Sequence, residues 1–236
     1  MTDLLAAIFA RGGSKGLPGK NTKLFYGKPL IEWAIRQASS IPDIGDVYVS
    51  TDDCEIAKIA TKAGAKLPFL RPQALANDDS PEWEAWQHFL QFIKKRDGRL
   101  PERLVILPTT SPLRSDEDIK KAISVSRLEG VDVVFAVTEA KHSPAFNMIT
   151  VSDRGSPFLL QSVDSQSVFR RQDAPTCYNI TTSVYVVRTQ FVLSSRGLFD
   201  AGENARVVKV PACRAVDIDD ALDFKIAEFL FAGERV

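Results

Sequence analysis

The sequence has little histidine and little cysteine: His88 and His142 of the former, and Cys54, Cys177 and Cys213 of the latter. The two histidines stand apart, which leaves a Cys/His or Ser/His catalytic arrangement without support. The cysteines are odd in number, widely separated and form no CxxC pair, so neither a disulfide framework nor a zinc site is expected, and a reducing cytoplasm is the natural setting. Long apolar runs are also missing. The segment Leu4 to Ala10 is far shorter than a membrane span, has no basic leader before it and passes straight into a glycine loop, so it reads as a buried strand, and no membrane association is expected. Thirty Lys plus Arg offset thirty Asp plus Glu. No global field therefore draws the chain to nucleic acid or an anionic membrane, and any anion site must be local.

What is present is enough apolar material for a core. At 236 residues and 44% hydrophobic content, the chain fits one domain, residues 1–236, of ordinary size. Short β-rich runs alternate with helical periodicity. The expected strands are Leu4 to Ala10, Val47 to Thr51, Lys66 to Leu70, Leu104 to Leu107 and Val131 to Val137. The expected helices are Leu30 to Ser39, Glu55 to Ala63, Glu82 to Lys95 and Ile119 to Leu128. Ser80-Pro81 and Ser115 with Asp118 supply start signals for the last two. This alternation predicts an α/β fold, a Rossmann-like three-layer sandwich with a mostly parallel sheet. After Val137 the rhythm changes. Asn147 to Ser152 with Asp153, Arg154 and Gly155 reads as a hairpin and Val184 to Val187 as a strand, so residues 141–182 are expected to be a small β-containing insertion. Val207 to Val210 and a helix from Asp220 to Phe231 return to the core pattern.

The chemistry concentrates after the first strand, where open α/β sheets place their ligand crevice. The run Ala10-Arg11-Gly12-Gly13-Ser14-Lys15-Gly16-Leu17-Pro18-Gly19-Lys20-Asn21 combines glycines, which let backbone N–H groups approach an anion, with three cations, as a triphosphate requires. A solvated basic turn is the other reading. No Gly-Lys-Ser/Thr closes the loop and no GxGxxG is present, so neither a Walker site nor a dinucleotide fold such as a NAD-dependent dehydrogenase is expected. Asp217 and Asp219 alternate around Ile218; in an extended segment both carboxylates point one way and can hold a hard divalent cation. Asp219 and Asp220 equally suit the acidic start of the last helix. Thr109, Thr110 and Ser111 follow the fourth expected strand and either line a pocket or cap a turn. Arg71, extended before Pro72, either faces the crevice or ends a strand in solvent. Arg170, Arg171 and Gln172 offer a partner for a carboxylate or a basic edge. Trp33, Trp83 and Trp86 sit in helical patterns and read as packing residues.

The motif ARGGSKGLPGKN resembles the signature of the N-acylneuraminate cytidylyltransferase family. The resemblance continues through Gly27-Lys28-Pro29-Leu30-Ile31, Val49-Ser50-Thr51-Asp52, Arg71-Pro72, Leu75-Ala76, Thr110-Ser111-Pro112-Leu113-Arg114, Arg170-Arg171-Gln172-Asp173 and Asp217-Ile218-Asp219. It implies a fold like that of the nucleotide-diphospho-sugar transferases and a reaction that joins CTP to an acidic sugar with release of pyrophosphate, using Mg2+. By the same resemblance Arg11, Gly12, Gly13, Ser14, Lys15, Lys20, Asn21, Arg71 and Ser80 bind the nucleotide, with Arg71 reading the pyrimidine. Arg11, Lys15 and Asp217 serve catalysis, Asp217 and Asp219 hold the metal, Thr110, Ser111, Arg171 and Gln172 meet the sugar, and residues 141–182 mediate a homodimer. The family's usual Gln-Pro-Thr-Ser is here Pro108-Thr109-Thr110-Ser111, and its Asn-Gly-Ala-like stretch is Thr181-Thr182-Ser183. Both departures fall where the sugar is held. The acceptor, N-acylneuraminate, legionaminate or a shorter ulosonic acid, and the choice of CTP over GTP therefore stay open, beside a degenerate nucleotide sensor.

Overall fold

Strand β1 (Leu4–Phe9) sends Leu4, Ala6 and Ile8 to one side and Leu5 and Ala7 to the other, and all five are buried. A strand that is apolar on both faces has to lie inside a three-layer stack. The computed structural model describes residues 3–161 and 170–233, without the side chain of Arg171. The further strands are β2 (Leu24–Phe25), β3 (Lys28–Pro29), β4 (Val47–Ser50), β5 (Arg103–Ile106), β6 (Val133–Glu139), β7 (Ile149–Val151), β8 (Pro157–Leu159), β9 (Tyr178–Arg188) and β10 (Ala205–Lys209). The helices are α1 (Leu30–Ser40), α2 (Cys54–Lys62), α3 (Glu82–Asp97), α4 (Asp116–Ser126), α5 (Thr189–Ser194) and α6 (Ala221–Gly233).

The central sheet runs β10-β6-β9-β5-β1-β4. Its strands are parallel except β9, which is antiparallel to both neighbours. One face is covered by α1, α2 and α4 through Ile31, Ile35, Ile56, Ile119 and Ile123. The other is covered by α3 and α5 through Trp86, Phe89, Ile93 and Val192. Side chains buried this completely contribute roughly 1.5–3 kcal/mol each relative to exposure, so the two layers fix the sheet firmly. The fold is thus α/β with a mostly parallel sheet, as the alternation predicts.

Several helix starts follow the sequence chemistry. Asp53 caps α2, accepting from the amides of Glu55 at 2.7 Å and Ile56 at 2.9 Å, and Ser115 with Asp118 forms a reciprocal capping box on α4. Ser80 does not cap α3; its hydroxyl donates to the Ala74 carbonyl at 2.7 Å. The expected third strand is also corrected. Lys66 to Leu70 touches the sheet edge only through isolated bridges, Tyr48 with Lys66 and Thr51 with Leu70, because Pro68 cannot donate to a ladder.

Strand β9 is much longer than Val184 to Val187. Its polar first half, Asn179 to Ser183, pairs with β6 across a register shift. The segment between β6 and β9 carries the hairpin of β7 and β8, in register from Ile149 with Leu159 to Val151 with Pro157. Gly155 supplies the left-handed residue of its turn at φ 80°. Trp83 and Trp86 pack in the core, and Trp33 donates to the Phe25 carbonyl at 2.7 Å.

Candidate active site

A third, small apolar cluster decides where the chemistry sits. Leu17 of the glycine loop, Leu113 of the loop after β5 and Ile218 between the two aspartates are buried together with Phe25 and Phe224. Three segments far apart in sequence are thereby pinned at the carboxyl ends of the parallel strands. Backbone contacts reinforce the pin: the Ile218 amide donates to the Thr110 carbonyl at 2.9 Å, and a Cβ on Gly16 would collide with the Asp219 carbonyl. Lys20 crosses the same gap, donating from Nζ to the Ile218 carbonyl at 2.8 Å and pairing with Asp219 at 3.3 Å. Behind them, Arg214 forms a two-pronged pair with buried Asp118 at 2.8 and 2.9 Å, tying the approach to Asp217 onto α4.

Above this pin opens a cavity of about 560 Å3. The glycine loop presents Arg11, Ser14, Lys15, Gly16, Lys20 and Asn21 to it. Gly12 and Gly13, expected to bind nucleotide, do not line it. The Gly12 amide donates to Asp52 Oδ1 at 3.1 Å, and a Cβ there would lie 2.8 Å from Asp53 Oδ2, so this glycine serves packing against the start of α2. Arg11 and Lys15 both pair with Asp78, at 2.9 and 2.5 Å. The Lys15 ammonium, with Arg11 beside it, holds the Asp78 carboxyl below its ordinary range. Asn21 is buried, donating to the Arg11 carbonyl at 2.8 Å and accepting from the Thr109 hydroxyl at 2.5 Å.

Asp217 faces the cavity from the opposite side. Burial pushes its carboxyl up; the hydroxyls of Thr110 and Thr182 oppose this and the like charge of Asp219 adds to it. Its Oδ1 is buried with no hydrogen-bond partner among the described residues. Asp219 lines the cavity too, with an exposed side chain. The helix-start role left open for this segment is filled by others. Asp220 accepts from the amides of Leu222 and Asp223 at 2.7 and 3.0 Å, and Asp223 from those of Asp219 and Asp220 at 3.1 Å. Asp217 and the side chain of Asp219 are left out of the cap. Among the described residues no group of three or more His, Cys, Asp or Glu side chains is placed to hold a metal ion.

Arg71 is buried rather than set in solvent at a strand end. Its Nη2 donates to the Ser50 carbonyl at 3.0 Å, its Nε is a buried donor with no partner among the described residues, and the side chain lines the cavity. Ser80 and Thr110 also line it. Ser111 does not: it is fully buried behind Thr182, 2.8 Å from its hydroxyl. Gln172 is exposed in a short turn braced by the Arg170–Asp173 pair and does not line the cavity of its own chain. The Arg171 side chain lies outside the described residues. Buried Arg114 braces the loop from within, donating to the carbonyls of Ser111 and Pro108, and burial pushes its guanidinium down to about 9.

Asp78, Glu82 and Tyr185 line the cavity and escape the sequence reading, whereas Thr182 lies in the stretch that the family resemblance sets near the sugar. Thr182 comes from the polar half of β9, which gives no strand signal, while Tyr185 lies in its apolar half and reads there as an ordinary strand residue. Glu82 sits in the first turn of α3, where an acidic residue is ordinary. Burial lifts the Tyr185 hydroxyl to about 12, with Glu82 and Asp217 adding to the effect.

Comparison with known proteins closes the case for the fold and the class of reaction. A cytidylyltransferase family model matches residues 5–235. The chain belongs to the cytidylyltransferase family. It is 33% identical over 236 residues to the post-translational flagellin modification protein B of Campylobacter coli, covering 100% of this chain and 98% of that one. It is 33% identical over 232 residues to the CMP-N,N'-diacetyllegionaminic acid synthase of Campylobacter jejuni subsp. jejuni, covering 98% and 96%. Among solved structures, a CMP:2-keto-3-deoxy-manno-octonic acid synthetase complexed with CTP shares the fold, with a TM-score of 0.72 at 18% identity over 98% of this chain and 99% of that one. A cytidylyltransferase is a nucleotidyltransferase: it must hold a polyphosphate in line with an acceptor hydroxyl. No helix among the described residues is long and apolar enough to cross a membrane.

Proposed function

We propose that the chain couples CTP to an acidic 3-deoxy-2-ulosonic sugar of the N-acylneuraminate or legionaminate kind, giving the CMP-sugar and pyrophosphate. One observation carries this reading: the Arg11–Lys20 loop and the Asp217–Asp219 segment meet at a single cavity, with Lys20 bridging them. Cations for phosphates and carboxylates for a divalent ion then act on the same ligand. The legionaminate-type acceptor is favoured by the likeness to the CMP-N,N'-diacetyllegionaminic acid synthase of Campylobacter jejuni.

The Asp217 carboxylate suits Mg2+, because a buried carboxylate oxygen without a hydrogen-bond donor is a hard ligand in want of a cation. Asp217 and Asp219 would hold the ion, with phosphate oxygens and water completing its shell, and bound there it supplies charge neutralisation at the phosphates. Arg11 and Lys15, released from Asp78, would neutralise the departing pyrophosphate. Thr110 and Thr182 orient the Asp217 carboxylate and offer hydroxyls to the incoming sugar. Displacement at the α-phosphorus is direct and needs no covalent enzyme intermediate.

Pyrophosphate release assayed with CTP, GTP and UTP against a panel of ulosonic acids tests the reading. Turnover is expected with CTP and a nine-carbon acid, abolished by EDTA and restored by Mg2+. Turnover with GTP alone, or none with any pair while nucleotide still binds, overturns it; the latter outcome identifies a nucleotide sensor.

A homodimer belongs to the same reading. The β7–β8 hairpin exposes Ile149, Val151, Phe158, Leu159 and Leu160, and nearby β9 exposes Tyr178 and Ile180. An apolar surface this dense on a two-stranded ribbon, which is marginal by itself, calls for a partner, and a second copy of the chain is the simplest one. Light scattering is expected to give a dimer mass, and Ile149→Glu with Phe158→Glu a monomer. A monomeric parent at micromolar concentration would remove this part. Cytoplasmic residence fits the exposed free thiols of Cys54 and Cys213.

A further inference from the structure

The phosphate loop and the aspartates leave one end of the cavity unused, and its chemistry is of another kind. Arg71 and Glu82 line this end together with the aromatic rings of Phe9 and Tyr185. The two charged groups feel each other: Glu82 supports the charge on Arg71, and Arg71 that on Glu82. Each is fixed by a different anchor. Arg71 hangs from the Ser50 carbonyl, while Glu82 Oε1 accepts from Trp86 Nε1 at 3.3 Å. The Trp86 ring packs against both Phe9 and Tyr185, with centroids at 6.2 and 5.7 Å, so the anchor of Glu82 lies under both aromatic walls. Glu82 is exposed to solvent at the cavity, and the protein packed around it holds its carboxyl above the ordinary range.

This end of the cavity therefore offers fixed donors on Arg71 beside a fixed acceptor on Glu82, between apolar rings. The polar edge of cytosine is the complement: two neighbouring acceptors, the ring carbonyl and imine, next to an amino donor. Uracil puts a carbonyl where the amino group would be, and that oxygen would face a carboxylate. Sites built around a hydrogen bond reject the analogue that lacks it better than apolar pockets do.

We propose that Glu82 is the base-selecting residue, accepting the exocyclic amino group of the pyrimidine while Arg71 donates to its acceptors. The proposal rests on CTP being the donor nucleotide, and it adds the means by which UTP is refused. Glu82 owes nothing to the phosphate grip: the carboxylate is exchangeable without disturbing Lys15, Lys20 or Asp217.

Calorimetric binding of CTP and UTP, with Mg2+ present, to the parent protein, Glu82→Gln and Glu82→Ala tests it. Binding rather than turnover is read, so the acceptor need not be known. The amide of Glu82→Gln can turn its oxygen toward an amino group or its NH2 toward a carbonyl. This variant is expected to hold CTP within a few-fold of the parent and to gain UTP, so that the CTP-to-UTP preference falls about 10-fold or more. Glu82→Ala is expected to lose CTP affinity by about 10-fold with little change for UTP. A preference unchanged in both variants overturns the proposal. If the parent binds CTP selectively but makes no pyrophosphate with any acid sugar, the proposed reaction fails while base selection stands.

Discussion

Asp217→Asn is expected to abolish turnover while making the protein no less stable, and that pairing distinguishes a functional carboxylate from a structural one. In the folded chain the Asp217 carboxylate is half-buried, its Oδ1 has no partner among the described residues, and the like charge of Asp219 lies close. Such a group is costly to keep ionised. Removing its charge relieves on the order of 1 kcal/mol of desolvation, which in a chain of this size raises the melting temperature by roughly 2–4 °C. The amide retains the shape of the side chain and its contacts with Thr110 and Thr182. Catalysis loses the anion that fixes the neutralising cation, and a fall in kcat of about 100-fold or more follows from effects of this kind. Pyrophosphate assays and a thermal melt on the same preparation check both halves. A lower melting temperature accompanied by modest loss of activity would make Asp217 a structural residue and would withdraw it from the metal site.

Gly16→Ala should be the most damaging single-methyl change in the protein. A Cβ at Gly16 meets the backbone carbonyl of Asp219, and backbone held by Ile218 in the apolar cluster and by the Thr110 carbonyl cannot swing aside as a flexible side chain would. The methyl group has to separate the phosphate loop from the carboxylate segment. Misplacement of reacting groups by about 1 Å is enough for losses near 100-fold, and kcat/KM is expected to fall by that order while the far-ultraviolet dichroism stays that of the parent. Gly13→Ala provides the internal control, since a Cβ there meets nothing within 4 Å. Equal activity in the two variants would mean that close approach of the loop and the aspartates is not needed for the reaction.

Most of the layered architecture was legible because buried parallel strands and amphipathic helices write themselves as periodicity. Leu4 to Phe9 and the α4 capping box are such cases, where local chemistry and tertiary packing agree. Lys66 to Leu70 misleads because its β-rich composition hides the effect of Pro68 on the ladder. Strand β9 misleads in the opposite direction. Thr182 meets the hydroxyls of Thr110 and Ser111 at the cavity, and Thr181 hydrogen-bonds to the backbone of β6, so this polar half carries no apolar core pattern and looks like loop. Arg11, Lys15, Lys20, Arg71 and Asp217 were visible as charge beside glycines and at the ends of strands, and Asn21 through the family resemblance. Asp78 and Glu82 were not, because an acidic residue in a loop or a first helical turn has ordinary explanations that only the shape of the cavity removes. Gly12 shows the converse: a glycine in an anion-binding motif can be required by a neighbouring carboxylate, here Asp53, rather than by the ligand.

The pairing of Arg11 and Lys15 with Asp78 means that the crevice carries an anion of its own making. If the proposed reaction holds, nucleotide would enter by exchange: one internal counter-ion would leave as phosphate oxygens arrive. Such an exchange would weaken the grip relative to bare cations and return Asp78 to its partners when pyrophosphate departs, so the chain itself would compete with its most highly charged product.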